Sequence, residues 1–161
     1  MAEIRYGHCD GPGHGREYAF KANIYIGRRS GKFVRLVNGH ATLCASGALN
    51  VLGWAETPKD TTGKNSYKTS STKAKDKMFV ITGLDNVFEM PCDETIASLK
   101  SINATFLGQG AAIVVTGATH AVIQKAKIKS GNNSASQLYI VDYDLVNHTV
   151  RVKIKPAKKQ G

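Results

Sequence analysis

No stretch of this sequence approaches the ~18–20 consecutive apolar residues that a membrane-crossing helix requires. The opening twenty residues, MAEIRYGHCDGPGHGREYAF, also lack the apolar centre of a secretory signal. Synthesis in a cytosol, with any release by lysis or assembly, is the expectation. Cysteine is sparse: Cys9, Cys44 and Cys92 form an odd, widely spaced set. That excludes a disulfide framework, and Cys44 and Cys92 sit in apolar stretches as small core residues. Without a secretory route, the glycosylation patterns at Asn103 and Asn147 mean little. Acid is the scarcest charge, with 12 Asp and Glu against 22 Lys and Arg, and a net charge of +10.

The location of that charge is more informative than its size. Residues 1–35 net +4, residues 59–77 net +4 and residues 151–161 net +5, so the remainder carries −3. Positive charge therefore concentrates in segments outside a nearly neutral, core-like middle, which points to an acidic partner or to solvated segments. Residues 59–77, KDTTGKNSYKTSSTKAKDK, offer almost nothing apolar beyond Tyr67 and Ala74. They cannot bury enough surface to offset the entropy of ordering, and the pattern predicts an exposed, mobile basic loop.

The apolar content of 42% suffices for one modest core in a chain of 161 residues. Short β-rich runs appear at 22–27, 32–37, 41–45, 48–55, 77–82, 87–90, 111–116, 121–128, 138–143 and 149–155, with turn residues between them. Asn38-Gly39 is a strong hairpin signal. In the last run Val150, Val152 and Ile154 alternate with Arg151, Lys153 and Lys155, which predicts a half-buried strand with one basic, wet face. One short helix is expected from Asp93, its N-cap, through Leu99. The fold class is therefore all-β, a small sandwich or barrel of short antiparallel strands with one short helix and an extended N-terminal arm. The organisation reads as an arm over 1–20, a β-rich domain over 21–156 carrying the basic loop at 59–77, and a basic tail over 157–161. The expected core is Phe33, Val51, Trp54, Phe79, Ile81, Phe88, Val114, Ile140, Val152 and Ile154.

Catalytic signatures fail their context tests. Ser98, His120 and Asp142 supply the residue types of a triad, yet no serine lies in a nucleophile-elbow motif. Gly108-Gln109-Gly110 lacks the third glycine and following helix of a dinucleotide fingerprint, so it reads as a turn. His8, Cys9 and His14 are metal-ligand types in a glycine-rich segment, without a second pair at zinc-site spacing. The expectation is a protein that is not an enzyme and needs no cofactor or metal. Basic groups around Tyr67 leave a nucleic-acid-binding β-barrel as the alternative, since lysines can track phosphates while an aromatic stacks a base.

The order of the segments carries a further signal. A glycine-rich opening precedes Gly31-Lys32-Phe33-Val34-Arg35-Leu36-Val37-Asn38-Gly39 and then Gly47-Ala48-Leu49-Asn50-Val51-Leu52-Gly53-Trp54-Ala55-Glu56. Gly83 to Pro91 and the closing Val141 to Val152 follow. Over most of residues 20–156 this resembles the head decoration, or capsid cement, proteins of tailed bacteriophages. The resemblance implies a virion protein on the outer capsid surface that stabilises the expanded head. Its partners would be the major capsid protein and other copies of itself, with a trimer favoured over a dimer, and it would touch no membrane. The long lysine loop and the high net charge depart from that pattern. The expected shell contacts are Ile4, Arg5, Tyr6, Arg16, Tyr18 and Phe20 of the arm, with Arg28 and Arg29 just beyond it. The loop supplies Lys64, Tyr67, Lys68, Lys73 and Lys75.

Overall fold

The computed structural model describes residues 7–26, 32–46, 50–56, 68–69, 76–93, 107–116, 123–129 and 136–160. In chain order its strands are β1 (Gly7–Asp10), β2 (Gly15–Ala19), β3 (Lys32–Val37), β4 (His40–Leu43), β5 (Gly53–Ala55), β6 (Lys77–Ile81), β7 (Val87–Pro91), β8 (Gly110–Thr116), β9 (Ile123–Lys129), β10 (Leu138–Asp144) and β11 (Thr149–Ile154). They form two antiparallel sheets, a six-stranded one in the order β1-β7-β11-β10-β8-β9 and a five-stranded one in the order β2-β6-β5-β3-β4. The all-β class expected from the sequence is what the chain adopts, as a sandwich and not a closed barrel.

Each sheet curls enough for one bridge to tie segments that are far apart in its strand order. Cys92, just past β7, pairs with Ala126 of β9, and Phe20, just past β2, pairs with Ala41 of β4. The amide of Asp93 donates to the Ala126 carbonyl at 2.9 Å, and that of Lys21 to the Ala41 carbonyl at 3.0 Å. These bonds occupy backbone groups that an open edge would leave exposed for stray pairing.

The main core lies between the sheets. Phe33, Trp54 and Ile81 from the five-stranded sheet meet Phe88, Met90, Ile113, Leu138, Ile140, Val152 and Ile154 from the six-stranded one. Phe33 sits edge-on to Trp54 at 4.9 Å and to Phe88 at 5.3 Å, the electrostatically preferred arrangement for ring pairs. A second cluster fills the curl on the other side of the five-stranded sheet, where Val34, Ala55, Met78 and Val80 pack with Phe20, Ile26, Ala41 and Leu52. That sheet is thus buried on both faces. This is why Phe33 and Val34 are both apolar, and why β5 is buried at every position.

Gln124 joins the two sheets. Its Oε1 accepts from the Phe33 amide at 2.7 Å, while its Nε2 donates to the carbonyls of Phe33 at 2.9 Å and Cys44 at 3.0 Å. The Asn38-Gly39 turn forms as expected, with φ of 50° and 77° at its two central residues, the left-handed values of a type I′ hairpin.

Several expectations need correction. From residue 7 onward the supposed arm is strand β1 in one sheet and strand β2 in the other, so it belongs to the fold. The supposed tail is also docked. Gln160 uses its side-chain amide to bond both the N–H and the C=O of Leu36, and its own N–H donates to Val51 at 2.8 Å. Residues 22–26 form a turn and one bridge instead of a strand, because Asn23 takes a left-handed φ of 58°. Phe79 is 43% exposed and belongs to neither core cluster; its cross-strand partner is the exposed Glu17. Val114 is only half-buried, on the outer face of β8 opposite Lys125. The expected helix after Asp93 lies outside the described residues. The other eight predicted core residues are buried.

Candidate functional site

Of the expected contact residues, Arg16 and Tyr18 share strand β2 and Lys68 is bridged to Tyr25, so these form two separate cation–π pairs. Arg16 and Tyr18 alternate on β2, an edge strand, opposite Val80 and Met78. Register therefore turns both toward the second core cluster. Tyr18 packs against that cluster, and the Arg16 guanidinium lies 4.6 Å from the Tyr18 ring centroid. A second pair repeats the chemistry, with the Lys68 ammonium 4.9 Å from the ring centroid of Tyr25. Lys77, opposite Ala19 at the same strand end, is exposed. Each cation–π pair positions a positive group without neutralising it, and is worth ~0.5–1 kcal/mol at an exposed site.

Lys68 is held by its neighbour. Thr69 is buried, its amide donates to the Ile24 carbonyl at 2.8 Å, and its hydroxyl donates to Lys21 and accepts from the Ile24 amide. The basic loop is thus pinned at Lys68-Thr69, contrary to a wholly mobile excursion. Thr69 was the missed signal, a hydroxyl that satisfies buried backbone groups where a lysine cannot. Phe20 is fully buried and offers no outward contact, because it fills the second cluster. Ile4, Arg5, Tyr6, Arg28, Arg29, Lys64, Tyr67, Lys73 and Lys75 lie outside the described residues.

The outer face of the six-stranded sheet is a second cationic surface. Val150, Val152 and Ile154 point inward and are buried, while Arg151 is exposed and Lys153 is half-exposed, matching the predicted alternation. Lys153 stands opposite Tyr139. Beyond them β9 adds Lys125 and Lys127 on the same outward side. Arg151 is partly engaged, at 3.5 Å from Asp142 and 4.0 Å from Glu89.

His8, Cys9 and His14 do not converge. The His8 ring packs edge-on against Phe88 at 5.9 Å, and its Nε2 bonds the Asn86 Oδ1 at 3.0 Å. Cys9 donates to the Val87 carbonyl, and burial pushes its thiol up from the ordinary value. Among the described residues no three His, Cys, Asp or Glu side chains group as metal ligands. Burial likewise raises the Glu56 carboxyl, with His8 opposing the rise. Of the imagined triad only Asp142 is described, and it bonds its neighbour's amide and Arg151.

No family model, curated protein or solved structure matches this chain.

Proposed function

We propose that this protein is a structural component of a tailed-phage particle, which binds the outer capsid surface and stabilises the expanded head. The observation that carries the reading is the pair of cations Arg16 and Lys68, each displayed over a tyrosine ring. Such a display suits an acidic protein surface. The order of strand and turn segments noted in the sequence supports the same assignment. Cement of this kind acts in many copies, requires no reacting centre and gains from charge that steers it to its lattice position.

The test is uptake by expanded heads assembled without this chain. The wild-type protein is expected to saturate them at a ratio set by the capsid lattice. Arg16→Glu with Lys68→Glu is expected to weaken uptake about tenfold or more, most strongly at low salt, where screening is least. Heads that take up the double variant as well as wild type would refute the assigned contact. Wild-type protein that ignores heads but binds single-stranded DNA with a steep salt slope would instead establish the nucleic-acid reading.

A further inference from the structure

The hairpin between β10 and β11 carries two apolar side chains into solvent, Leu145 at 40% and Val146 at 86% exposure. The turn that holds them is tightly built. Asp144 Oδ1 accepts from the amides of Val146 at 2.9 Å and Asn147 at 3.1 Å, and Oδ2 accepts from the Asn147 side chain at 2.7 Å. His148 closes the turn with a left-handed φ of 55°, and its carbonyl accepts from the Cys92 amide at 3.0 Å. The hydrogen bonds from Asn147 keep the Asp144 carboxyl below its usual range, so it stays ionised. Asp142, a second exposed carboxylate on the same strand, is paired with Arg151 at 3.5 Å, so Asp144 supplies the open negative charge at the turn. The tip is therefore a preorganised apolar knob with an acidic base, and ordering it on binding costs little.

The opposite end of the same sheet carries the complement. On the outer face of the β8–β9 ribbon, Val114 lies across from Lys125 and Thr116 across from Ile123, which is 43% exposed. Lys127 follows on the same side. This is an apolar strip beside two cations. It too is held rigidly, by the Gln124 clamp and by a bond from the Val115 amide to the Ser46 hydroxyl at 2.8 Å. The knob and the strip cannot meet within one chain. β8 registers with β10 at Leu138↔Ala111 and Tyr139↔Gly110, so residues past Ala112 run away from the direction β10 takes toward its turn. At ~3.3 Å per residue the two features lie roughly 30 Å apart along the strands.

We infer that the β10–β11 tip of one copy docks on the β8–β9 ribbon of a second copy, with Val146 and Leu145 against Val114 and Ile123, and with Asp144 facing Lys125 and Lys127. The contact is head-to-tail, so it uses two different patches and closes into a ring or extends, according to the rotation between copies. The inference is independent of capsid binding, since it needs only the free protein. A bilayer is a poorer occupant, because two apolar residues on an acidic base insert weakly into a negatively charged surface.

Sedimentation velocity over a range of concentrations tests it. Wild type is expected to associate. Val146→Asp, at a solvent-exposed turn position, and Lys125→Glu with Lys127→Glu are each expected to weaken association about tenfold to a hundredfold, with circular dichroism unchanged. The decisive sample is the mixture. The tip variant retains a ribbon and the ribbon variant retains a tip, so together they form heterodimers and nothing larger. Wild type that stays monomeric throughout overturns the inference. So does a tip variant that associates like wild type, a mixture that fails to form heterodimers, or a tip that binds vesicles instead of a second copy.

Discussion

Replacing Gln124 tests the joint between the sheets. The side chain is buried and serves three backbone groups, the Phe33 amide and the carbonyls of Phe33 and Cys44. Gln124→Met keeps roughly the same volume and removes every one of those bonds. The Phe33 amide is then a buried donor without its partner, at a cost of ~1–3 kcal/mol. The Phe33 carbonyl retains its bond from the Cys44 amide at 3.0 Å, so its loss is smaller. The Cys44 carbonyl loses the Gln124 donor, which adds about 1 kcal/mol. The expected total is ~2–4 kcal/mol, or about 5–15 °C in melting temperature for a domain of this size. Urea unfolding followed by the fluorescence of the single tryptophan reads this directly, since Trp54 contacts the Phe33 ring. Gln124→Glu separates hydrogen bonding from packing. Burial beside two carbonyls raises the carboxyl above its unfolded value. Its stability is then fullest below the unfolded pKa of ~4.3 and is lost as pH rises through the folded pKa. A Gln124→Met midpoint equal to wild type, or a Gln124→Glu variant with no loss between pH 4 and 8, would refute the reasoning.

Asn86 is fully buried, accepts from His8 and from the Gly13 amide at 2.8 Å, and donates to Gly83 at 3.0 Å. Asn86→Ala is expected to cost ~2–3 kcal/mol and to make the chain after Arg16 markedly more sensitive to trypsin, checked by timed digestion and mass spectrometry. Lys32 is buried, and burial lowers its ammonium from 10.5 to about 8. Between those values the unfolded chain binds more protons, so stability should rise with pH across the window, by on the order of 2 kcal/mol. Lys32→Met is expected to abolish that rise in urea titrations at pH 8 and pH 10.5.

The strand content was legible because each strand is short, rich in β-branched or aromatic residues, and bounded by turn chemistry. Asn38-Gly39 and the alternation from Val150 to Ile154 are local signals, set by backbone sterics and by burial of one face. Local signals also identified Arg16, Tyr18 and Lys68 as surface residues. They could not show how Lys68 is held, because it is tied to the turn at Lys21–Ile26 through the bonds of Thr69, 45 and 48 residues away in the chain. The burial of Phe20 and the exposure of Phe79 were likewise decided by tertiary structure. Both are aromatics in β-like runs, and only the curl of the five-stranded sheet puts one inside and leaves the other exposed opposite Glu17. Glycine-rich residues 7–19 looked like an arm because they lack apolar anchors. They are strands because backbone pairing with β6 and β7 needs no side chain at all. Gln124 gives no sign in the sequence of its role, since its partners are 91 and 80 residues away. Composition and periodicity determined that this chain is β-rich and basic, with enough apolar surface for a modest core. Which charged faces point outward, and what joins the two sheets, followed from long-range pairing, where a hydrogen bond depends on position in space and not on nearness in the chain.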